Sequence, residues 1–257
     1  MDGAALTHDR FLNGRLRIWQ PRQGYRAATD PVFLAAAVPA RAGERVLELG
    51  CGVGAATLCL ATRVPGLALT GLERQPAYAE LARRNAAEAG MAVDVVTGDL
   101  TDMPPTIRAQ SFDHVMMNPP YYATRDFSAP RDSGKDTAHR EVAGTLADWV
   151  TAGRKRLRPG GRLTIIQQAD RLDDMLMAFG RQFGDVMIRP LAPRAGRPAG
   201  RVLVTALKGR SGPLRLLAPL VLHDGPRHEQ DGDDSSAAAR AILRDGAALG
   251  WGDLSAG

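Results

Sequence analysis

The sequence predicts an α/β chain built on a mostly parallel sheet of seven strands, with helices on both faces and an antiparallel hairpin closing one end. Three observations predict it. From about residue 45 onward, continuous apolar runs are separated by stretches of helical periodicity, the pattern of strands covered on both faces. The first of those runs enters a glycine-rich turn, Gly50-Cys51-Gly52-Val53-Gly54. The last two are joined only by the Pro/Gly/Arg loop 191–201. With no helix to carry the chain back, that pair reads as antiparallel.

The elements follow in order. Leu12–Gln20 reads as a short hairpin, and Thr29-Asp30-Pro31 as a helix start with Asp30 capping and Pro31 in the first turn. Strands are expected at Arg45–Gly50, Ala68–Glu73, Val93–Gly98, His114–Asn118, Arg162–Gln167, Val186–Pro190 and Val202–Leu207. Helices are expected at 54–63, 76–89, 145–158 and 170–183. Leu157-Arg158-Pro159-Gly160-Gly161 reads as a helix stop and a tight turn. Residues 123–140, polar and dotted with Gly, Pro and Ser, read as a loop; the tail from 224 leaves room for a short helix at 235–244. The chain is expected to be a single domain, with an N-terminal hairpin and helix (1–42), a core (43–210) and a C-terminal extension (211–257).

A chain of 257 residues with 44% hydrophobic and 24% charged side chains can bury a full core. No apolar run is long enough to cross a bilayer, and Met1-Asp2-Gly3-Ala4 does not read as a signal peptide. Cys51 and Cys59 are too few for a disulfide framework and lack His neighbours for zinc. No metal and no membrane are expected, and a reducing cytoplasm is the expected location. The net charge of +5 is unevenly spread: Arg125 to Arg215 holds 18 Lys or Arg against 9 Asp or Glu. Two runs carry no acid at all, Arg10 to Arg26 and Arg189 to Arg215. Such runs suit either a solvated surface or a face turned toward phosphate.

The chemistry starts at Val46-Leu47-Glu48-Leu49-Gly50. A strand that enters Gly-x-Gly-x-Gly and then a helix lets a ligand approach the backbone closely. Nicotinamide enzymes more often show Gly-x-Gly-x-x-Gly with a pyrophosphate on the turn. Here Glu48 precedes the glycines, and a carboxylate opposes phosphate and favours a cation. S-adenosylmethionine carries two, an ammonium and a sulfonium. Glu73, about twenty residues beyond the glycines, ends the second strand, where an acid can grip two ribose hydroxyls. Asp99 ends the third strand, where an acid can accept from an adenine amine, with Leu100 beside it. Each acid has an ordinary alternative, a surface pair with Arg74 for Glu73 and a turn residue for Asp99. Three acids at three consecutive strand ends, all at the crevice where such sheets bind ligands, favour the cofactor.

The fourth strand ends in Asn118-Pro119-Pro120-Tyr121-Tyr122. Adjacent prolines remove two backbone donors and fix two φ angles, leaving a stiff turn with unpaired carbonyls. On these residues the chain resembles the amino-methylating class I S-adenosylmethionine-dependent methyltransferases, whose Asn-Pro-Pro-Tyr signature occurs in adenine-N6, some guanine-N2 and glutamine-N5 enzymes. The resemblance implies a Rossmann-like methyltransferase sheet, with S-adenosylmethionine as methyl donor and S-adenosylhomocysteine as product. It also implies that Asn118 and Pro119 accept the two N–H groups of the target amine and that Tyr121 stacks on a flipped-out base. Thr29, Glu48, Gly50, Cys51, Gly52, Gly54, Glu73, Arg74, Asp99, Leu100 and Asn118 are the expected cofactor contacts.

Further segments resemble the bacterial adenine-N6 methyltransferases that act on valine tRNA beside the anticodon. They are Gly24-Tyr25-Arg26 with Thr29-Asp30-Pro31, Ala138-His139-Arg140-Glu141, Leu157–Leu163, Arg201-Val202-Leu203-Val204 with Lys208-Gly209, and Leu217 to His223. The match spans roughly 12–223, and the chain departs at Gly225-Pro226-Arg227-His228, where the family usually carries an aromatic-Thr pair. RNA, in particular tRNA, is the implied partner, with Arg26, Tyr121, Tyr122, His139, Arg140, Arg194, Arg197 and Arg201 as expected contacts. A glutamine-N5 enzyme would carry a sizeable helical domain ahead of the glycines, where only about 45 residues stand. A DNA enzyme would need a separate recognition domain. A module that had lost catalysis would not need Glu48, Glu73, Asp99 and Asn118 together. His223 and the three Trp residues read as structural.

Overall fold

A hairpin of β1 (Leu6–Phe11) and β2 (Leu16–Pro21) opens the computed structural model, which describes residues 5–120, 145–225 and 234–252. It starts earlier than the expected Leu12–Gln20. The reason is physical: β1 carries Thr7, His8, Asp9 and Arg10, so it shows no apolar signal and forms by pairing with β2. Leu12 and Asn13 make the turn at positive φ, 50° and 56°. Helix α1 (Asp30–Ala37) follows. Asp30 is its first residue and not its cap, and its carboxylate pairs instead with Arg201 at 3.1 Å.

The seven expected strands form the core sheet: β3 (Arg45–Leu49), β4 (Ala68–Glu73), β5 (Val93–Thr97), β6 (Phe112–Met117), β7 (Leu157–Gln168), β8 (Phe183–Ala192) and β9 (Arg201–Lys208). Two-residue strands β10 (Arg215–Leu216) and β11 (Leu220–Val221) pair in parallel with the outer edge of β8, so the described sheet has nine strands. The order across it is β10-β8-β9-β7-β6-β3-β4-β5. All neighbours from β5 to β7 are parallel, and β9 alone runs antiparallel, between β7 and β8. The 157–161 segment differs from the expected turn, because Leu157 already pairs with Phe112 and β7 begins there with a register shift.

Period-two alternation divides the core. Val46, Met116 and Ile166 pack on one face with α1, α2 (Ala55–Arg63), the hairpin and α7 (Ala237–Asp245). Leu47, Val115, Met117 and Ile165 pack on the other with α4 (Pro105–Arg108), α5 (Leu146–Arg156) and α6 (Leu172–Phe179). Helix α3 (Pro76–Glu88) covers the β4–β5 side through Ala79 and Ala82. Helix α6 stops before the expected 183 because Gly180, at φ 50°, ends it and Phe183 starts β8. Because β3 to β7 are parallel, their C-terminal ends open on one edge. The strand order reverses between β3 and β6, and such reversals leave a ligand crevice there.

Candidate active site

The crevice at that edge is a cavity of about 330 Å³. Gly50 and Gly52 after β3, Leu72 to Gln75 at the end of β4, and Gly98 to Leu100 after β5 line it. Asn118, Pro119 and Pro120 after β6 line it too, with Trp149 of α5, Tyr25 and Tyr78. Of the expected site residues, Gly50, Gly52, Glu73, Arg74, Asp99, Leu100, Asn118 and Pro119 are thus brought together in one cavity wall. Thr29, Glu48, Cys51 and Gly54 do not line it. Tyr121, Tyr122, His139 and Arg140 lie outside the described residues.

The glycine turn is shaped by its backbone. Gly50, Gly52 and Gly54 sit at φ of 67°, 56° and 84°, where L side chains are strained. A Cβ on Gly50 would meet the Trp149 ring at 2.5 Å, so the indole closes the floor of the cavity only because residue 50 is bare. Glu73 holds the turn in place: its carboxylate accepts from Gly52 N at 2.9 Å and from Gln75 N at 2.8 Å. It is buried at the end of β4. Asp99 accepts from the backbone and hydroxyl of Thr101 through Oδ1, at 2.8 and 2.7 Å, so the turn role and a place in the cavity wall coexist.

Glu48 faces away from the cavity, toward α2. It is 4% exposed and accepts from Thr57 N and the Thr57 hydroxyl. Burial pushes its carboxyl up to about 8 against the pull of those two hydrogen bonds, with the nearby Glu73 adding to the rise. Cys51 packs against Gly71 and Val95, and burial among Glu48 and Glu73 drives its thiol well above the usual range. A protonated, buried thiol is packing and not a nucleophile.

Tyr25 is a functional candidate that the sequence motif contained but did not single out. Asn118 Nδ2 donates to its hydroxyl at 3.3 Å. The segment that carries it is tied down on both sides. Gln20 pairs with Ala27 through both ends of its buried amide, at 2.7 and 3.2 Å, and Tyr78 donates to the Tyr25 carbonyl at 3.2 Å. Desolvation, with the charges of Glu48 and Asp30 next, pushes the Tyr25 hydroxyl up to about 12, so it stays neutral. Asn85, fully buried on α3, joins this hairpin to the glycine turn by bonding Trp19 N, Trp19 O and Val53 O.

The cations assigned to RNA are mostly engaged inside the molecule. Arg26 pairs with Asp9 at 2.6 Å and donates to Pro21 O and the Thr7 hydroxyl. Arg194 is bound to Asp234 and to the carbonyls of Asp224 and Gly225, and Arg201 to Asp30. Arg189 donates to Ala218 O and Gly250 O. Arg197 has no side-chain partner among the described residues and stays exposed. His223 bonds Asp234 at 2.8 Å, a structural role.

The methyltransferase small domain family matches residues 28–188. The chain belongs to that family. A tRNA1(Val) (adenine(37)-N6)-methyltransferase of Dickeya chrysanthemi is 30% identical over 94% of this chain and 95% of its own. A protein of the same name from Porphyromonas gingivalis is 34% identical over 66% of this chain and 69% of its own. Among solved structures, a predicted O-methyltransferase of Agrobacterium tumefaciens superposes with a TM-score of 0.68 at 28% identity, covering 86% of this chain and 98% of that one. The chain is an S-adenosylmethionine-dependent methyltransferase of Rossmann-like α/β fold. Among the described residues no helix is long and apolar enough to cross a membrane, and no cluster of three His, Cys, Asp or Glu is placed to hold a metal.

Glu73→Ala is expected to weaken S-adenosylmethionine binding by about 1.5–3 kcal/mol, roughly tenfold to a hundredfold, as the loss of a charged hydrogen-bond acceptor. The change also strands Gly52 N and Gln75 N, so the glycine turn loosens with it. Calorimetric titration of the variant checks it; an unchanged affinity removes Glu73 from the site.

Proposed function

We propose that this methyltransferase moves a methyl group from S-adenosylmethionine to the exocyclic N6 amine of an adenine in tRNA, at position 37 of valine tRNA as its named relatives do. The observation that carries the reading is the place of Asn118-Pro119-Pro120. The turn stands in the wall of the same cavity as Glu73, Asp99 and the bare glycines. That cavity suits the cofactor: apolar Leu72 and Leu100 flank the space for a flat ring, with carboxylates at the strand ends for hydroxyls and an amine.

S-adenosylmethionine supplies, when bound, an electrophilic methyl on a sulfonium. The rest falls to the chain. An adenine amine has its lone pair spread into the ring and is a weak nucleophile. Two acceptors, the Asn118 side-chain oxygen and the Pro119 carbonyl, take its two N–H groups and stabilise the positive charge that grows on nitrogen. They also hold the lone pair in line with the methyl group. With the amine held by Asn118 and Pro119, its nitrogen would take the methyl as the donor's S–C bond breaks, the electron pair would stay on sulfur, and the alkylated nitrogen would give up a proton to solvent. An oxygen nucleophile would bring at most one proton and leave an acceptor unused, which favours nitrogen over the oxygen named for the Agrobacterium neighbour.

Tyr121 would stack on the base, and Arg197 with the 139–140 pair would meet phosphate. Segments 1–42, 43–210 and 211–257 would act as one domain, in the cytoplasm where tRNA resides. The test is incubation with methyl-labelled S-adenosylmethionine and either total tRNA or a protein extract, followed by nucleoside mass spectrometry. N6-methyladenosine in tRNA is expected. Label in a protein glutamine would move the reading to the glutamine-N5 enzymes, and label in neither would overturn it.

A further inference from the structure

We propose that Gln167 is a positioning residue for the methyl-transfer turn, setting the direction of the Pro119 carbonyl. The inference rests on the reading of Asn118 and Pro119 as acceptors for the target amine. Gln167 is the next-to-last residue of β7, the strand beside β6. Its Nε2 donates to Pro119 O at 3.3 Å, and its Oε1 accepts from Gln168 N at 2.8 Å.

Three observations point the same way. First, Gln167 is 2% exposed at the end of the apolar run Leu163-Thr164-Ile165-Ile166, a place where an aliphatic side chain would bury at no polar cost. Second, Pro119 and Pro120 have no N–H, so a carbonyl is the only backbone group at residue 119 that another residue can tie down. Gln167 uses it. Third, Pro119 stands in the cavity wall beside Asn118, and the hydrogen bond to its carbonyl is buried.

A carbonyl oxygen has two lone pairs. With one taken by Gln167 from the sheet side, the peptide plane is held and the other is left for a substrate N–H. The opposite end of the turn has its own tie, Asn118 to Tyr25 at 3.3 Å. The turn is thus held from both flanks by residues 48 and 93 positions distant in sequence.

Gln167→Glu is the decisive variant because it keeps shape and Oε1 while replacing the donor. When the introduced carboxyl is protonated it can donate to Pro119 O; when it is ionised, acceptor faces acceptor. Single-turnover methylation of tRNA at saturating S-adenosylmethionine should therefore fall at least tenfold in Gln167→Glu as pH rises through the carboxyl's titration, a step that the wild type lacks. Gln167→Leu should be slow at every pH, by roughly a hundredfold if the carbonyl swings by about 1 Å, with cofactor affinity kept. A merely structural role would lower melting temperature without that pH signature. Wild-type rates in both variants, with Asn118→Ala inactive, would overturn the proposal and leave the acceptor reading standing. An active Asn118→Ala would instead bring down the acceptor reading.

Discussion

Asn118→Ala is expected to slow methyl transfer to tRNA roughly 10²–10³-fold, the usual cost of removing one group aimed at charge that develops in a transition state. The acceptor matters far more at the transition state than in the ground state, since positive charge appears on nitrogen only as the N–C bond forms. The loss should thus fall on the single-turnover rate, with S-adenosylmethionine affinity nearly unchanged. Asn118→Asp keeps an oxygen acceptor but loses the donor that reaches Tyr25 at 3.3 Å, so it should be slow but faster than Ala. Tyr25 stays neutral across the working range because its hydroxyl is pushed up to about 12, so no pH step should come from that contact. Rapid-quench assays with labelled methyl donor measure these rates. Full turnover by Asn118→Ala would end the proposed mechanism.

The residues that were legible in the sequence are those whose role is local. Strands β3 to β9 announce themselves as apolar runs because both faces are covered, and Glu73, Asp99 and Asn118 are legible because parallel strands bring their C-terminal ends to one edge. What failed to show depends on distant partners. Arg194 and Arg201 sit in a run without acids and look unpaired, yet their acids, Asp234 and Asp30, stand 40 and 171 positions away. Gln167 carries no motif signal that separates it from an ordinary strand residue, and Tyr25 lies in a matched segment where nothing local singles it out. Strands β10 and β11 are two residues each and exist through the edge of β8, not through their own propensity. Glu48 was legible as an acid beside the glycines, but its direction was not: a strand residue next to Leu47 and Leu49 points to the opposite face, which here is α2.

Trp251→Ala is expected to destabilise the fold by about 3–5 kcal/mol, the range for truncating a buried Trp. Helix α1 explains why so remote a residue matters. Residues Pro31 to Ala37 are all buried, so the carbonyls at its C-terminal end cannot rely on water. The fold supplies partners one by one. Arg63 donates to Ala35 O and Val38 O, Leu249 N to Ala36 O at 2.8 Å, and Trp251 Nε1 to Ala37 O at 2.7 Å. Trp251 is 2% exposed and packs in the same core cluster as the hairpin and α2. Its removal opens a cavity and strands the Ala37 carbonyl together. A drop in melting temperature of roughly 6–20 °C follows, taking about 2–4 °C per kcal/mol for a chain of this size. Trp251→Phe should recover most of the packing and lose the hydrogen bond, a cost of about 1–3 kcal/mol for the carbonyl left unpaired. Because α1 follows the segment that carries Tyr25, the loosened variant should also lose methylation rate on mild warming before it unfolds globally. Thermal melts of the Ala and Phe variants, read beside activity at the same temperatures, separate the two effects. An Ala variant that melts with the wild type would show that the 249–251 segment does not hold α1.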